Sequence, residues 1–501
     1  MAAPDWRFLR SAPPHYVARR LGAGESIVLD GRLDDAAWAS APWTSRLVDL
    51  TRHENASLNA VPGFLQARAK IRWDADFLYI GVVLREPLVV ANVTGHNGPD
   101  VPYHDNDLEL FVDAHRSAQH YKEFEMSARN GTYDVLWGVP DGAGLACARA
   151  GDPPYLPACV NTSSPFYAGN WTMLNPVRAG LAGGGLTTAV DYDRSRYGRY
   201  TSGAAAAWTA EIALPIRAGR GAAGGWHGGL LDAGASSPAD FAGSADPAAA
   251  EQVYWSFDLS RAEHPRKYIA ADGNARYCPF DCAADLAHAT PRFAPPSSAE
   301  CADVKARWPT LLGIDEWNCY WEWAIADVGA DAYMHRPLHW ATLEFAPASA
   351  DGGGACVPID WPGRYVARMI YAAQEAYRAA SSGRYTESAA ALLSACAASA
   401  ACDATDLRRA LGGDGGIFSV SLRVTPNASA LSRECASRPC HVAVIRVHAP
   451  VGPRGWRYEY ATTIDSNSWL RTDHSRPPGQ RPCLPPTRHG EVGRAAARRI
   501  H

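Results

Sequence analysis

Apolar and polar residues alternate at period two through most of the first 345 positions. That is the spacing of half-buried strands, and no long run there repeats at the 3.6-residue interval of a helix. Strands are predicted at Ile27–Leu29, Lys70–Trp73, Phe77–Leu84, Asp107–Asp113, Tyr121–Ser127, Tyr133–Val139 and Trp208–Leu214, each bounded by turn-forming residues. Short strands at this spacing predict a mainly β fold, an antiparallel β-sandwich. Three stretches rich in Gly, Ala, Pro or Ser, at about 141–169, 218–250 and 283–307, break the rhythm and read as surface insertions.

After Phe345 the pattern changes, and Asp351-Gly-Gly-Gly354 marks a linker. Val366, Met369, Ile370, Ala373 and Tyr377 fall at helical spacing, and a second helix is expected over Thr386–Ala397. Strands follow at Phe418–Val424, Val442–Val447 and Tyr458–Thr463. The expected organisation is therefore a sandwich over 16–345, a smaller α+β unit over 355–470, and a Pro- and Arg-rich tail over 471–501 expected to be disordered.

Charge narrows the function. The 48 basic and 52 acidic side chains nearly cancel, so no basic field is present to hold nucleic acid or an anionic membrane. No uncharged apolar stretch reaches the roughly 18 residues of a spanning helix, so no membrane insertion is expected. The 12 cysteines do not fall at zinc-site spacing, which favours disulfides. The local pairs expected are Cys147–Cys159, Cys278–Cys282, Cys396–Cys402 and Cys435–Cys440. Six Asn-x-Ser/Thr tripeptides, at Asn55, Asn92, Asn130, Asn161, Asn170 and Asn427, exceed the one or two that chance would give at about this composition. Both features point to a glycoprotein of the secretory pathway. The first ten residues carry no apolar core of signal-peptide length, so either the start is truncated or the protein is intracellular; the cysteines and sequons together favour a truncated start.

Three segments carry a family resemblance. Ile27-Val-Leu-Asp-Gly-Arg-Leu-Asp-Asp-Ala-Ala-Trp38, Ile71-Arg-Trp-Asp-Ala-Asp-Phe-Leu-Tyr-Ile80 and His104-Asp-Asn-Asp-Leu-Glu-Leu-Phe-Val-Asp113 resemble, in order and spacing, signatures of the family 9 carbohydrate-binding modules and related proteins. Trp208 to Pro215, Phe257 to Arg261, and Trp323 to Phe345 with Met334-His-Arg-Pro-Leu-His-Trp340 look like later strands and a closing motif. The resemblance covers about residues 16–345 and implies a β-sandwich that holds a polysaccharide end between aromatic rings. It also implies frequent attachment to a glycoside hydrolase, a link to carbohydrate catabolism, and structural calcium in some members.

The resemblance implies site residues as well. An aromatic residue precedes the ligand-facing glutamate by six positions in the family, as Tyr103 precedes Glu109 here. Where sugar-binding members place a second aromatic, three residues before the closing-motif proline, this chain has Met334, with Tyr333 adjacent. Where they place an arginine, it has Glu125. From the residues themselves, Tyr103 lies in a Pro-containing loop before a strand and is a candidate to stack on a sugar or to be partly buried. Glu109 alternates with Leu108 and Leu110, so it faces away from what they bury; it is either a hydroxyl acceptor or an ordinary salt-bridged or solvated strand residue. Arg336 is a candidate to grip sugar oxygens or a carboxylate, or to form a structural ion pair. The expected carbohydrate-binding set is thus Tyr103, Glu109, Glu125, Tyr333 and Arg336.

Asp105, Asp107 and Glu109 at period two offer oxygen ligands for calcium, yet no EF-hand loop surrounds them, and no cofactor is expected. Asp30, Asp34 and Asp35 are expected to cap local backbone, and Trp38, Trp73, Tyr79 and Trp208 to pack in the core. No nucleophile elbow, His-Glu-x-x-His helix or phosphate loop is present. Non-catalytic saccharide binding is the expected function. The alternatives are a glycoside hydrolase, or an accessory part of one, and a scaffold for protein contacts.

Overall fold

The computed structural model describes residues 12–49, 61, 65–86, 89, 91, 93–95, 102–118, 121–137, 187–197, 207–216, 230–231, 247, 253–263, 267–269, 275–277, 321–324, 334–348, 358, 360–399, 402–412, 418–425, 440–451, 456–465 and 470–474. The first region contains β1 (His15–Arg20), the short helix α1 (Ala36–Ala39), β2 (Val48–Asp49), β3 (Ala67–Trp73), β4 (Phe77–Arg85), β5 (Asp107–Asp113), β6 (Tyr121–Ser127) and β7 (Thr132–Trp137). It continues with β8 (Thr187–Tyr192), β9 (Ala207–Pro215), β10 (Val253–Glu263), β11 (Lys267–Ile269), β12 (Ala275–Tyr277), β13 (Trp321–Ala324) and β14 (Ala341–Ala346).

Twelve of these strands join in the order β7-β6-β5-β10-β14-β1-β3-β4-β9-β8, with β13 on β10 and β2 on β13. Pairing is antiparallel except around β1, which runs parallel to both β14 and β3. Ile71, Leu78, Ile80, Trp208 and Ile212 from one end of the sheet share one core with Leu108, Leu110, Phe124, Trp255, Phe257 and Leu343 from the other. The sheet therefore curls over a single apolar filling, and the fold is the expected β-sandwich. Period two in β5 places Leu108, Leu110 and Val112 in that filling and leaves Asp107, Glu109, Phe111 and Asp113 on the opposite face.

Ile27–Leu29 does not form the predicted strand. Side-chain bonds hold this segment instead of a ladder: the Val28 N–H donates to Asp35 Oδ2 at 2.8 Å and the Arg32 N–H to Asp30 Oδ1 at 2.9 Å, the local capping expected of these aspartates. Glu211 clamps the same turn, accepting from the Asp30 and Gly31 N–H groups at 2.9 Å each and from Trp38 Nε1 at 2.7 Å. Gly31 has φ +88°, and a Cβ there would lie 2.5 Å from the Asp191 nitrogen, so only glycine fits. Trp38, Trp73 and Trp208 are buried as expected. Tyr79 is half-buried, and its hydroxyl donates to Asp74 Oδ2 at 2.8 Å, an end that burial would have left without a partner.

The second region contains α2 (Trp361–Ala380), α3 (Ala389–Ala397) and α4 (Ala404–Leu411), then the antiparallel strands β15 (Phe418–Thr425), β16 (Cys440–Val451), β17 (Trp456–Asp465) and β18 (Leu470–His474). Val366, Met369, Ile370 and Ala373 of α2 pack with Leu392, Leu407, Ala443, Ile445, Val447 and Ile464. The third helix was not predicted. Asp403 caps it, accepting from the Thr405 and Asp406 N–H groups, and Cys396–Cys402 forms a disulfide just before it. Cys147, Cys159, Cys278, Cys282 and Cys435 lie outside the described residues. β18 runs to His474, into the stretch expected to be a tail. The three Gly/Ala/Pro-rich stretches fall almost wholly outside the described residues.

Candidate functional site

The outer face of β5, β6 and β10 is polar, and register fixes which residues meet there. Glu109 stands opposite Glu125 on β6 and Ser260 on β10. Phe111 stands opposite Glu123 and Asp258. One oxygen each from Asp107, Glu109 and Glu125 lies within 4.8 Å of the other two, and all three residues are buried.

Each carboxylate is oriented by one donor. Ser260 Oγ donates to Glu109 Oε2 at 2.6 Å, the Ala262 N–H to Asp107 Oδ1 at 2.9 Å, and the Tyr103 N–H to Glu125 Oε2 at 2.9 Å. Asp107 Oδ2 is buried and has no hydrogen-bond partner. The guanidinium that acts on Asp107 is that of Arg261. It is held by the Leu65 and Arg85 carbonyls at 2.7 and 2.8 Å and by Glu86.

Three charges at this separation are unfavourable. Two full negative charges 4.8 Å apart repel by about 3 to 4 kcal/mol at an effective dielectric constant of about 20. Burial, and then the Glu109 charge, push the Asp107 carboxyl well above the usual carboxylate range. Burial moves Glu109 up to about 7, against the Ser260 hydrogen bond. Glu125 is raised well above its ordinary value by burial first and then by Glu123, Glu109 and Asp107.

An aromatic block lies beside these carboxylates on the same face. Phe111 lies 5.0 Å from the His335 ring and 5.4 Å from Trp340, and Tyr121 lies 5.0 Å from Trp340 in an edge contact. The Tyr121 hydroxyl and His335 Nδ1 share a hydrogen bond of 3.0 Å. Burial, and then the Arg336 charge, move His335 down to about 3, so it is a neutral ring at physiological pH. Trp340 Nε1 donates to the Met334 carbonyl at 2.6 Å, which closes the Met334–Trp340 segment on itself.

Against the sequence expectations, Glu109 and Glu125 do share one face, and Tyr103 reaches that cluster through its backbone. Its half-buried ring stands in a single 3-10 turn, Pro102–His104, immediately before β5. Glu109 faces away from the leucines, but it is buried and hydrogen-bonded, not solvated. Arg336 is half-buried and makes no hydrogen bond to Asp107, Glu109 or Glu125; its Nε has no partner. Tyr333 lies outside the described residues. Asp105 takes the Val93 N–H at 2.8 Å, and Glu125 stands third in the acidic group in its place. Ser260, Asp258, Glu123 and Tyr121 were not singled out from the sequence. The signal available for them was polar alternation in β6 and β10, which only the strand pairing turns into a site.

Residues 29–138 match the family model described as carbohydrate family 9 binding domain-like. No curated protein matches the chain. Among solved structures, the chain is similar to a family 9 carbohydrate-binding module from Caldicellulosiruptor kristjanssonii in complex with cellotriose, at 10% identity and TM-score 0.29, over 69% of this chain and 98% of that one. The same organism's module in complex with glucose is similar at 11% identity and TM-score 0.30, over 68% of this chain and 99% of that one.

Proposed function

We propose, from the premise that residues 29–138 are a carbohydrate family 9 binding domain-like segment, that the protein binds a saccharide without turning it over. The observation that carries the reading is the outer face of β5, β6 and β10, where Glu109, Glu125 and Ser260 converge with Tyr103 at one side. Carboxylates and a hydroxyl take up sugar hydroxyls, and an aromatic face covers sugar C–H groups. Tyr103 is the stacking ring in this reading, and the Tyr333 and Arg336 expected from the sequence are tested as further contributors. The three central carboxylates stand side by side on adjacent strands, whereas hydrolysis of a glycosidic bond requires two that flank it.

A secretory-pathway location is part of the same reading. It is supported by the six sequons, by exposed Asn130 in its turn and by the Cys396–Cys402 disulfide. A glycan array probed with the purified full chain tests the function. Retention on a defined group of glycans, with no release of shorter products on incubation, is expected; cleavage of the retained glycan would replace binding with hydrolysis.

A further inference from the structure

We propose that Trp43, with Arg46, Arg68 and Lys70 around it, forms a second saccharide platform that takes an anionic sugar, one bearing a carboxylate or a sulfate. The inference rests on the saccharide reading only for its ligand class; the platform itself lies along β3, four strands from β5 in the sheet. Trp43 is 38% exposed, and Val28 is the one other large apolar side chain exposed to that degree among the described residues. The ring does not stand on a loose segment. The Thr44 N–H donates to the Ala69 carbonyl at 2.8 Å, and the Thr44 hydroxyl accepts from the Ala69 N–H at 3.0 Å. On the other side the Tyr16 hydroxyl donates to the Pro42 carbonyl at 2.7 Å. The backbone on both sides of the indole is thus tied to the sheet, which spares a ligand part of the cost of ordering it.

The charge around the ring is a separate observation. Period two in β3 sends Ala67, Ala69 and Ile71 into the core and leaves Arg68 and Lys70 on the opposite face. Lys70 Nζ lies 4.7 Å from the centre of the Trp43 ring and donates to the Trp38 carbonyl at 2.6 Å. Arg68 Nε and Nη2 donate to the Thr44 carbonyl at 3.3 and 3.2 Å. These bonds hold both cations close to Trp43 and its neighbour without neutralising them. No carboxylate among the described residues pairs with Arg46, Arg68 or Lys70. Arg46 is exposed; partial burial, and then the Arg46 charge, hold the Arg68 guanidinium below its usual range, as two like charges with no anion between them do. An anionic group placed there relieves the repulsion while the indole covers sugar C–H groups. A neutral sugar gains only the second contribution and an anion without a ring face only the first, so the pair selects a charged saccharide.

The test is calorimetry of the full chain with oligogalacturonate, a sulfated oligosaccharide, a neutral cello-oligosaccharide and polyglutamate. Wild type, Trp43→Ala, Arg46→Gln and Tyr103→Ala are compared, each with a thermal melt. Wild type is expected to bind a charged saccharide, more weakly as salt is raised; retention of oligogalacturonate identifies the anion as a carboxylate, and of the sulfated sugar as a sulfate. Trp43→Ala is expected to weaken that binding roughly fivefold and Arg46→Gln, a change at an exposed side chain, roughly threefold, with Tyr103→Ala leaving it unchanged. No binding of either charged saccharide by wild type, equal binding of polyglutamate, or unchanged affinity in whichever of Trp43→Ala and Arg46→Gln keeps the wild-type melt would overturn the inference. The two saccharide readings fail separately. Neutral-sugar binding that is lost in Tyr103→Ala, with no affinity for charged sugars, defeats only the Trp43 platform; charged-sugar binding that is lost in Trp43→Ala, with no affinity for neutral sugars, defeats only the face of β5 and β6.

Discussion

Single residues hold this fold by satisfying particular backbone groups. Glu211, fully buried on β9, receives two donors from a turn about 180 positions earlier in the chain and a third from the Trp38 indole in α1. Glu211→Ala would leave the Asp30 and Gly31 N–H groups and the Trp38 indole without an acceptor. A loss of about 3 kcal/mol or more is expected in urea denaturation; Glu211→Gln, which keeps a carbonyl acceptor, should lose less. A cost under about 0.5 kcal/mol for the alanine would show that water replaces the carboxylate there. The Asp-Gly turn was legible in the sequence because its residue types are those a positive-φ turn demands. The clamp was not, since a glutamate in an alternating strand looks the same whether it meets solvent or a distant turn. Glu109 failed to reveal its burial for the same reason: its cover includes Ser260, and that neighbour is set by the pairing of β5 with β10.

At the scale of elements, alternation found β3 to β7 and β9 with small errors at their ends, since each pairs with a strand close in sequence or shows apolar residues on one face only. β1 and β14 were missed. They pair with each other across more than 300 positions, and β1 lies between two parallel neighbours, an arrangement that no local pattern encodes. The helix α2 was legible because its apolar stripe at 366, 369, 370 and 373 is the stripe that becomes buried.

The β15–β18 sheet carries a pH dependence of its own. His441 at the start of β16 is buried, with the Tyr385 ring 4.7 Å away and Tyr371 6.4 Å away. Burial moves its pKa down from 6.5 to about 3. Between these values the unfolded chain binds a proton that the folded chain does not, so stability is fully present above about 6.5 and declines as pH falls towards 3. The slope from this residue is up to about 1.4 kcal/mol per pH unit. His441→Phe keeps a ring beside Tyr385 and removes the titration. Urea melts at pH 7 and pH 5 should show a smaller acid loss in the variant than in wild type; an identical loss would place the sensitivity elsewhere.

Across the whole molecule, the loop after β5 joins the first region to the second one. Arg116 pairs with Asp360, Arg364 Nη1 donates to the Arg116 carbonyl at 2.9 Å, and the Leu470 N–H donates to the Ser117 carbonyl at 2.8 Å. The strand that presents Asp107 and Glu109 thus continues directly into the docking loop. The sequence indicated a change of character after Phe345 but not this contact, because both halves of it are charged residues of ordinary appearance. The central claim concerns the face at the other end of β5. It is tested most directly by isothermal calorimetry of the full chain with cello- and xylo-oligosaccharides, in wild type and Tyr103→Ala. Saccharide binding by wild type and a loss of about 1 kcal/mol, roughly fivefold in affinity, in the variant are expected for a stacking ring. No affinity of wild type for any glycan would contradict the function, and unchanged affinity in Tyr103→Ala would contradict the site.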